Sequence, residues 1–209
     1  MPQQKLPIAI LKSDKATEMA DYHAILLDLG FVMQCCTELL VLLEKPKQDG
    51  PHVRALFTAA LVAYVRCFST GVRSAKVNPD IFASIEGALQ RHQSIKDMRD
   101  KHIAHSVNAF EDTSIGAVLS DPAAGQKTVR GTITLTGSRV SDSAEGIKQI
   151  GSLAKIAFES TKARFDALQV DVLAEARALN IDELYARQTP RFTAPGYDTV
   201  AKSRSNVTK

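Results

Sequence analysis

The run Asp14–Glu44, DKATEMADYHAILLDLGFVMQCCTELLVLLE, decides the fold class. Tyr22, Leu26, Leu29, Met33, Cys36, Leu40 and Leu43 recur at steps of four and three, which lines them along one helical face. Ser13 or Asp14 supplies a capping oxygen for the free N–H groups of the first turn. Pro46 ends the run, because proline disfavours helical backbone in the residue before it. A helix this long with an apolar seam needs other helices or a sheet to cover it.

Working outward, Pro51 suits the first position of a second helix, where a missing N–H costs nothing. Leu56, Ala60, Tyr64 and Cys67 form its seam, and it ends near Gly71. Asn78-Pro79 opens a third helix with Ile81, Ile85, Leu89, His92 and Ile95 on its inner side, running to about His102–His105. The period then changes. Ser114–Ser120 and Thr128–Thr136 are rich in β-branched residues. Val129, Gly131, Ile133 and Leu135 alternate with Arg130, Thr132, Thr134 and Thr136, so one face should be wet and the other covered. Asp121-Pro122…Gly125 supplies turn chemistry between the two runs.

Asp142-x-x-Glu145 reads as a capping box. The long helix it opens carries Ile150, Ala154, Ala157, Thr161, Phe165, Leu168, Val172, Ala176 and Leu179 along one face and ends at Asn180. Ile181–Gln188 adds a short helix, closed by Pro190. The expected fold is all-α: an up-and-down four-to-five-helix bundle with a β-hairpin inserted before the last long helix. Residues 1–12 read as an irregular N-terminal arm. Residues 13–188 read as a single helical-bundle domain, with the hairpin at about 114–137. Residues 189–209 read as a flexible C-terminal tail.

Composition agrees with one soluble globular domain. The chain has 209 residues, 44% hydrophobic and 23% charged, which excludes wholesale disorder and fibrous repeats. Uninterrupted apolar stretches such as Ala59–Val65 fall well short of a bilayer span. The N-terminal MPQQKLPIAILKSDK lacks a secretory apolar core, so a cytoplasmic location is expected. Cys35, Cys36 and Cys67 are an odd count without C-x-x-C spacing, which argues against a disulfide framework or a structural zinc site and for inert buried thiols.

Net charge is only +3, but it is unevenly spread. Asp14–Glu44 holds six acidic residues and one lysine, a net of −5, whereas His52–His105 holds eight Lys/Arg and four Asp/Glu, a net of +4. Phosphate loops, G-x-S-x-G, H-E-x-x-H and EF-hand patterns are all missing. Asp97 and Asp100 each have a basic neighbour and read as a solvated face.

The informative stretch is His92 and then Met98-Arg99-Asp100-Lys101-His102-Ile103-Ala104-His105-Ser106. On a regular helix His92, Arg99 and His102 share a stripe. His105 lies about 9 Å further along the axis than Arg99, within reach of a long guanidinium arm. Histidine titrates near neutrality and can move a proton at a ribose hydroxyl or a leaving oxygen. Arginine presents a fixed fork of donors to phosphate oxygens. Together they suit phosphodiester chemistry with no metal and no cofactor.

Arg99-Asp100-Lys101-His102-Ile103-Ala104-His105 resembles the R-(polar)-x-H motif of HEPN domains, in which four to six residues separate the arginine from the histidine; here the gap is five. Asp100 stands where asparagine is commoner. The resemblance implies a HEPN-like helical bundle and a metal-independent endoribonuclease. It is closest to HEPN proteins of prokaryotic toxin–antitoxin and phage-defence systems. It implies catalytic roles for Arg99 and His105, Asp100 and His102 as auxiliaries, a homodimer with both motifs in one cleft, and RNA or nucleotide as ligand. A cognate antitoxin is a further implied partner. The alternative within the same family is a non-catalytic nucleotide- or RNA-binding or scaffolding module.

Arg66, Arg73 and Lys101 would extend a basic, nucleic-acid-binding surface toward Arg99. The bland alternatives are specific. Arg66 and Arg73 could bond to the acidic first helix, and Arg99 could pair with Asp100 or with that helix. His102 and His105 could merely complement a helix C-terminus. His92, on an apolar stripe, reads as a bonded core residue.

Overall fold

The computed structural model of the chain describes residues 7–45, 50–69, 71, 73–103, 111–138 and 141–189. In chain order its elements are β1 (Ile8–Ala9), α1 (Asp14–Leu43), α2 (Gly50–Phe68), a 3₁₀ turn (Pro79–Phe82), α3 (Ala88–Met98) and a π-helical turn (Arg99–Ile103). There follow β2 (Glu111–Leu119), a second 3₁₀ turn (Pro122–Ala124), β3 (Val129–Ser138), α4 (Ala144–Ala178), α5 (Ile181–Ala186) and β4 (Gln188–Thr189). The fold is thus a mostly helical bundle with little strand.

α1 is the spine. Ser13 caps it by accepting a hydrogen bond from the Ala16 N–H at 3.2 Å. α2 and α4 pack on it from two sides. Its buried arc is therefore wider than one seam: Ile25, Val32, Cys35, Leu39 and Leu42 are buried beside Leu26, Leu29 and Cys36. Of the expected seam, Tyr22, Met33, Leu40 and Leu43 are only partly covered. A helix held between two neighbours cannot show the narrow stripe of a surface helix. α4 runs antiparallel to α1, since Lys15 at the start of α1 reaches Asp171 near the end of α4 at 3.1 Å, and Arg164 reaches Glu18 at 2.9 Å. α1 is also long and apolar enough, by length and composition alone, to cross a membrane. Half of its most apolar window is buried inside this fold, and mid-helix Asp28 binds two arginines, which is the pattern of a core helix.

The third expected helix is interrupted. Asn78 caps only the 3₁₀ turn Pro79–Phe82, and α3 begins after Gly87, whose φ of +71° suits glycine. That break resets the helical frame. Phe82, His92 and Ile95 are buried, whereas Ile85 and Leu89, expected on the inner side, are 41% and 42% exposed. The capping box at the start of α4 is likewise replaced. Ser143 is the N-cap, accepting from the Gly146 N–H at 3.1 Å. Asp142 instead bonds Arg91 of α3, which also donates to the Gly146 carbonyl at 3.1 Å.

β2 and β3 pair antiparallel, with Ile115 opposite Thr134 and Gly116 opposite Ile133. Asp121 accepts from the Ala123 N–H, and the Ser120 hydroxyl bonds across the turn to Gln126 and Thr128. The expectation that one face is covered fails. Val118, Ile133 and Leu135 share a face and are 40%, 48% and 55% exposed. Alternation along a strand records two unlike faces but cannot supply the element that would cover one of them. At the opposite end of α4, the arm reads as more than irregular, since β1 pairs antiparallel with β4. Of the expected tail, residues 190–209 lie outside the described residues.

Candidate functional site

α3 is anchored by its buried face. His92 sits in an aromatic box, its ring 4.5 Å from that of Phe68 and 5.5 Å from that of Phe82. Its Nδ1 lies 3.0 Å from the Tyr64 hydroxyl of α2. Burial pushes the Tyr64 phenol up, so it stays protonated. A hydroxyl donating to Nδ1 leaves the ring hydrogen on Nε2, which is buried with no hydrogen-bond partner among the described residues. Burial, and secondarily the charge of Lys96, hold His92 below its ordinary 6.5, hence neutral at pH 7. His92 therefore belongs to the core and not to a ligand-facing stripe with Arg99.

At the end of α3 the backbone widens into the π turn Arg99–Ile103. A π turn breaks the spacing of a regular helix, and such turns are frequent at functional sites. Arg99 is half exposed. Its Nη1 lies 2.8 Å from Asp100 Oδ1, with the two side chains 41% and 49% exposed. Lys101 lies 3.9 Å from Asp97, one turn back, and is also exposed. His105 lies outside the described residues, and His102 is described in its backbone alone. The described geometry thus contains the arginine half of the motif, in an open position beside a carboxylate one residue away.

Arg66 and Arg73 have a different setting. Both converge on Asp28 of α1. Arg66 donates to Asp28 through Nε at 3.0 Å and through Nη2, a two-pronged pairing, while Arg73 Nη2 donates at 2.9 Å. Those bonds from Asp28 push the Arg66 guanidinium up. The Asp28 side chain is only 12% exposed, and that of Arg73 only 20%. One turn pair earlier, buried Asp21 accepts from the Ser74 N–H and hydroxyl, both at 2.8 Å. Asp21 and Asp28 together pin the segment after α2 to α1. The two arginines assigned to a nucleic-acid surface thus have a bonded structural partner, although Arg66 keeps 57% of its side chain in solvent. A signal for this was present in the sequence: two aspartates seven apart inside an apolar run belong on its buried face and must be bonded there.

The cysteines offer no nucleophile. Burial raises all three thiols, Cys36 and Cys67 to about 12. A cavity of about 300 Å³ lies between the arm and the end of the bundle, lined by Pro7, Ala9, Leu11, Ala176, Ile181, Leu184, Tyr185 and Gln188. Arg91 ties α3 to the start of α4, and the cavity adjoins its end. α4 has 35 residues, so roughly 50 Å of helix separates the two regions. Compared with family models, curated proteins and solved structures, the chain has no match.

Proposed function

We propose that this chain is a HEPN-like, metal-independent endoribonuclease acting in the cytoplasm through Arg99 and His105. The observation that carries the reading is the open position of Arg99 on a π turn at the end of a bundle helix, six residues before His105. Arg99 would hold the scissile phosphate by paired N–H donors. His105 would take the proton from the ribose 2′-hydroxyl as it attacks the adjacent phosphorus, and a proton would pass to the departing 5′-oxygen. The products are a 2′,3′-cyclic phosphate and a free 5′-hydroxyl. Lys101 would add a cation beside the backbone of the RNA, and His102 would assist. The resemblance also carries the homodimer, the toxin or phage-defence role and the cognate antitoxin into this proposal.

The test is cleavage of a labelled single-stranded RNA pool by the full chain. Wild type should yield cyclic-phosphate ends in the presence of EDTA, and Arg99→Ala and His105→Ala should each abolish them while the helical melt stays nearly unchanged. Cleavage at the wild-type rate by His105→Ala overturns the assignment.

A second reading is favoured by the Asp100 carboxylate on Arg99: a non-catalytic module that binds RNA or nucleotide. An anion must displace Asp100 to use that arginine, which weakens charge stabilisation at the phosphate. Salt-sensitive binding of the same RNA pool with no cyclic-phosphate product would select this reading.

A further inference from the structure

The hairpin presents an unusual edge. The central part of β3, Gly131-Thr132-Ile133-Thr134-Leu135-Thr136-Gly137, reads the same in both directions by residue type, with isoleucine and leucine exchanging places. Among the described residues β3 pairs with β2 alone, on one side. Its other edge offers backbone donors and acceptors. Devices that usually block such an edge are missing from these seven residues, which contain no charge and no proline. Ile133 and Leu135 stay half exposed, and Gly131, Thr132 and Thr134 are exposed too. A two-stranded ribbon is marginal in water, and three or more strands with an apolar face are needed for independent stability.

We propose that β3 pairs edge to edge with β3 of a second copy of this chain, antiparallel and centred on Thr134. A strand that meets its own copy across a two-fold axis must present the same residues in opposite order. The palindrome does this. In that register Thr134 stands opposite Thr134, Ile133 opposite Leu135, Thr132 opposite Thr136 and Gly131 opposite Gly137. Thr–Thr and branched apolar pairs are favourable directly opposite partners. The register holds whichever alternate set of backbone groups points outward, because antiparallel ladders alternate bonded and non-bonded pairs about such a centre. The two hairpins become one four-stranded sheet. Val118, Ile133 and Leu135 of both copies then form one continuous apolar face. Another protein's strand would find no distinguishing charge along this edge, whereas a second copy finds itself mirrored. This strand pairing is the contact that forms the homodimer of the proposed function; it is argued from the strand alone, and RNA cleavage plays no part in its test.

Sedimentation of the full chain at tens of micromolar should show a dimer. Thr134→Lys places two ammonium groups face to face and should yield a monomer with an unchanged helical circular-dichroism signal. Thr134→Cys should form an interchain disulfide on mild oxidation, while Ile115→Cys on β2, 69% exposed, should stay reduced. The native cysteines are buried and give no background. A monomeric wild type, a Thr134→Lys protein that remains a dimer, or equal crosslinking by the two cysteine variants would each overturn the proposal. Should Thr134→Lys fail to fold, the crosslinking pair decides.

Discussion

Arg73 and Arg99 are both arginines with an aspartate within 3 Å, and they sit in opposite settings. Arg73 shares the recessed carboxylate of Asp28 with Arg66, and the group ties the segment after α2 to the spine helix. Arg99 touches Asp100, its own neighbour along the chain, on an open turn. The first pairing joins distant parts of the chain in a place sheltered from water, so it holds structure. The second closes no loop, orders little, and is screened by solvent, so it leaves the guanidinium available to exchange one anion for another. The same two residue types therefore give a clamp in one place and a candidate ligand site in the other, and burial of the carboxylate decides between them.

The largest effect should come from breaking the clamp. Asp28→Ala leaves a mostly covered Arg73 without its counter-ion, and should lower stability by about 3 kcal/mol in urea unfolding. Arg73→Ala should cost more than Arg66→Ala, because Arg66 can turn to solvent. Equal and small losses for all three would mean that the cluster is as dispensable as a surface pair.

A second test uses pH at the other buried polar contact. The His92 ring is held below 6.5 in the folded chain, so the unfolded state binds the proton more readily. Stability from the neutral ring is complete above 6.5 and falls as pH drops below it. Tm measured down from pH 7 should decline in that window, and the slope contributed by His92 should vanish in His92→Gln. An unchanged slope in that variant would assign the acid loss to other groups. The open pair makes the smallest stability difference. Asp100→Asn should change unfolding free energy by less than about 0.5 kcal/mol. Its effect belongs in binding: with the carboxylate gone, Arg99 should take up RNA phosphate more tightly in a filter-binding titration. Weaker binding by Asp100→Asn would mean that the aspartate positions the arginine rather than competing for it.

Local chemistry was readable where it depends on near neighbours in the chain. The helices of the first, second and fourth segments follow from apolar spacing, and Ser13 caps α1 as its position suggests. The turn at Asp121-Pro122 and the two β-branched runs around it follow from residue type. Readings failed where a distant residue intervened. Asp142 has the right spacing to cap α4, but Arg91 from another helix engages it and Ser143 takes its place. The third segment has helical periodicity throughout, yet Gly87 breaks it, and Ile85 and Leu89 end up outside. At the candidate site the motif residues were visible as residue types. The π turn under Arg99 was not, because regular wheel geometry presumes an unbroken ladder.

The bundle follows from the chain's own patterning: periods near 3.6 and 2, a stop signal at Pro46 and a start signal at Pro51, and an excess of acid in the first helix against base in the middle are all properties of nearby residues. Partnership follows from the assembled fold. That Asp28 claims two arginines while Arg99 stays open, that α1 is wrapped on two sides, and that one face of the hairpin stays bare depend on which surfaces meet in space. Burial and dielectric are set by those meetings, and they decide whether a given charge stabilises the fold or stands ready for a ligand.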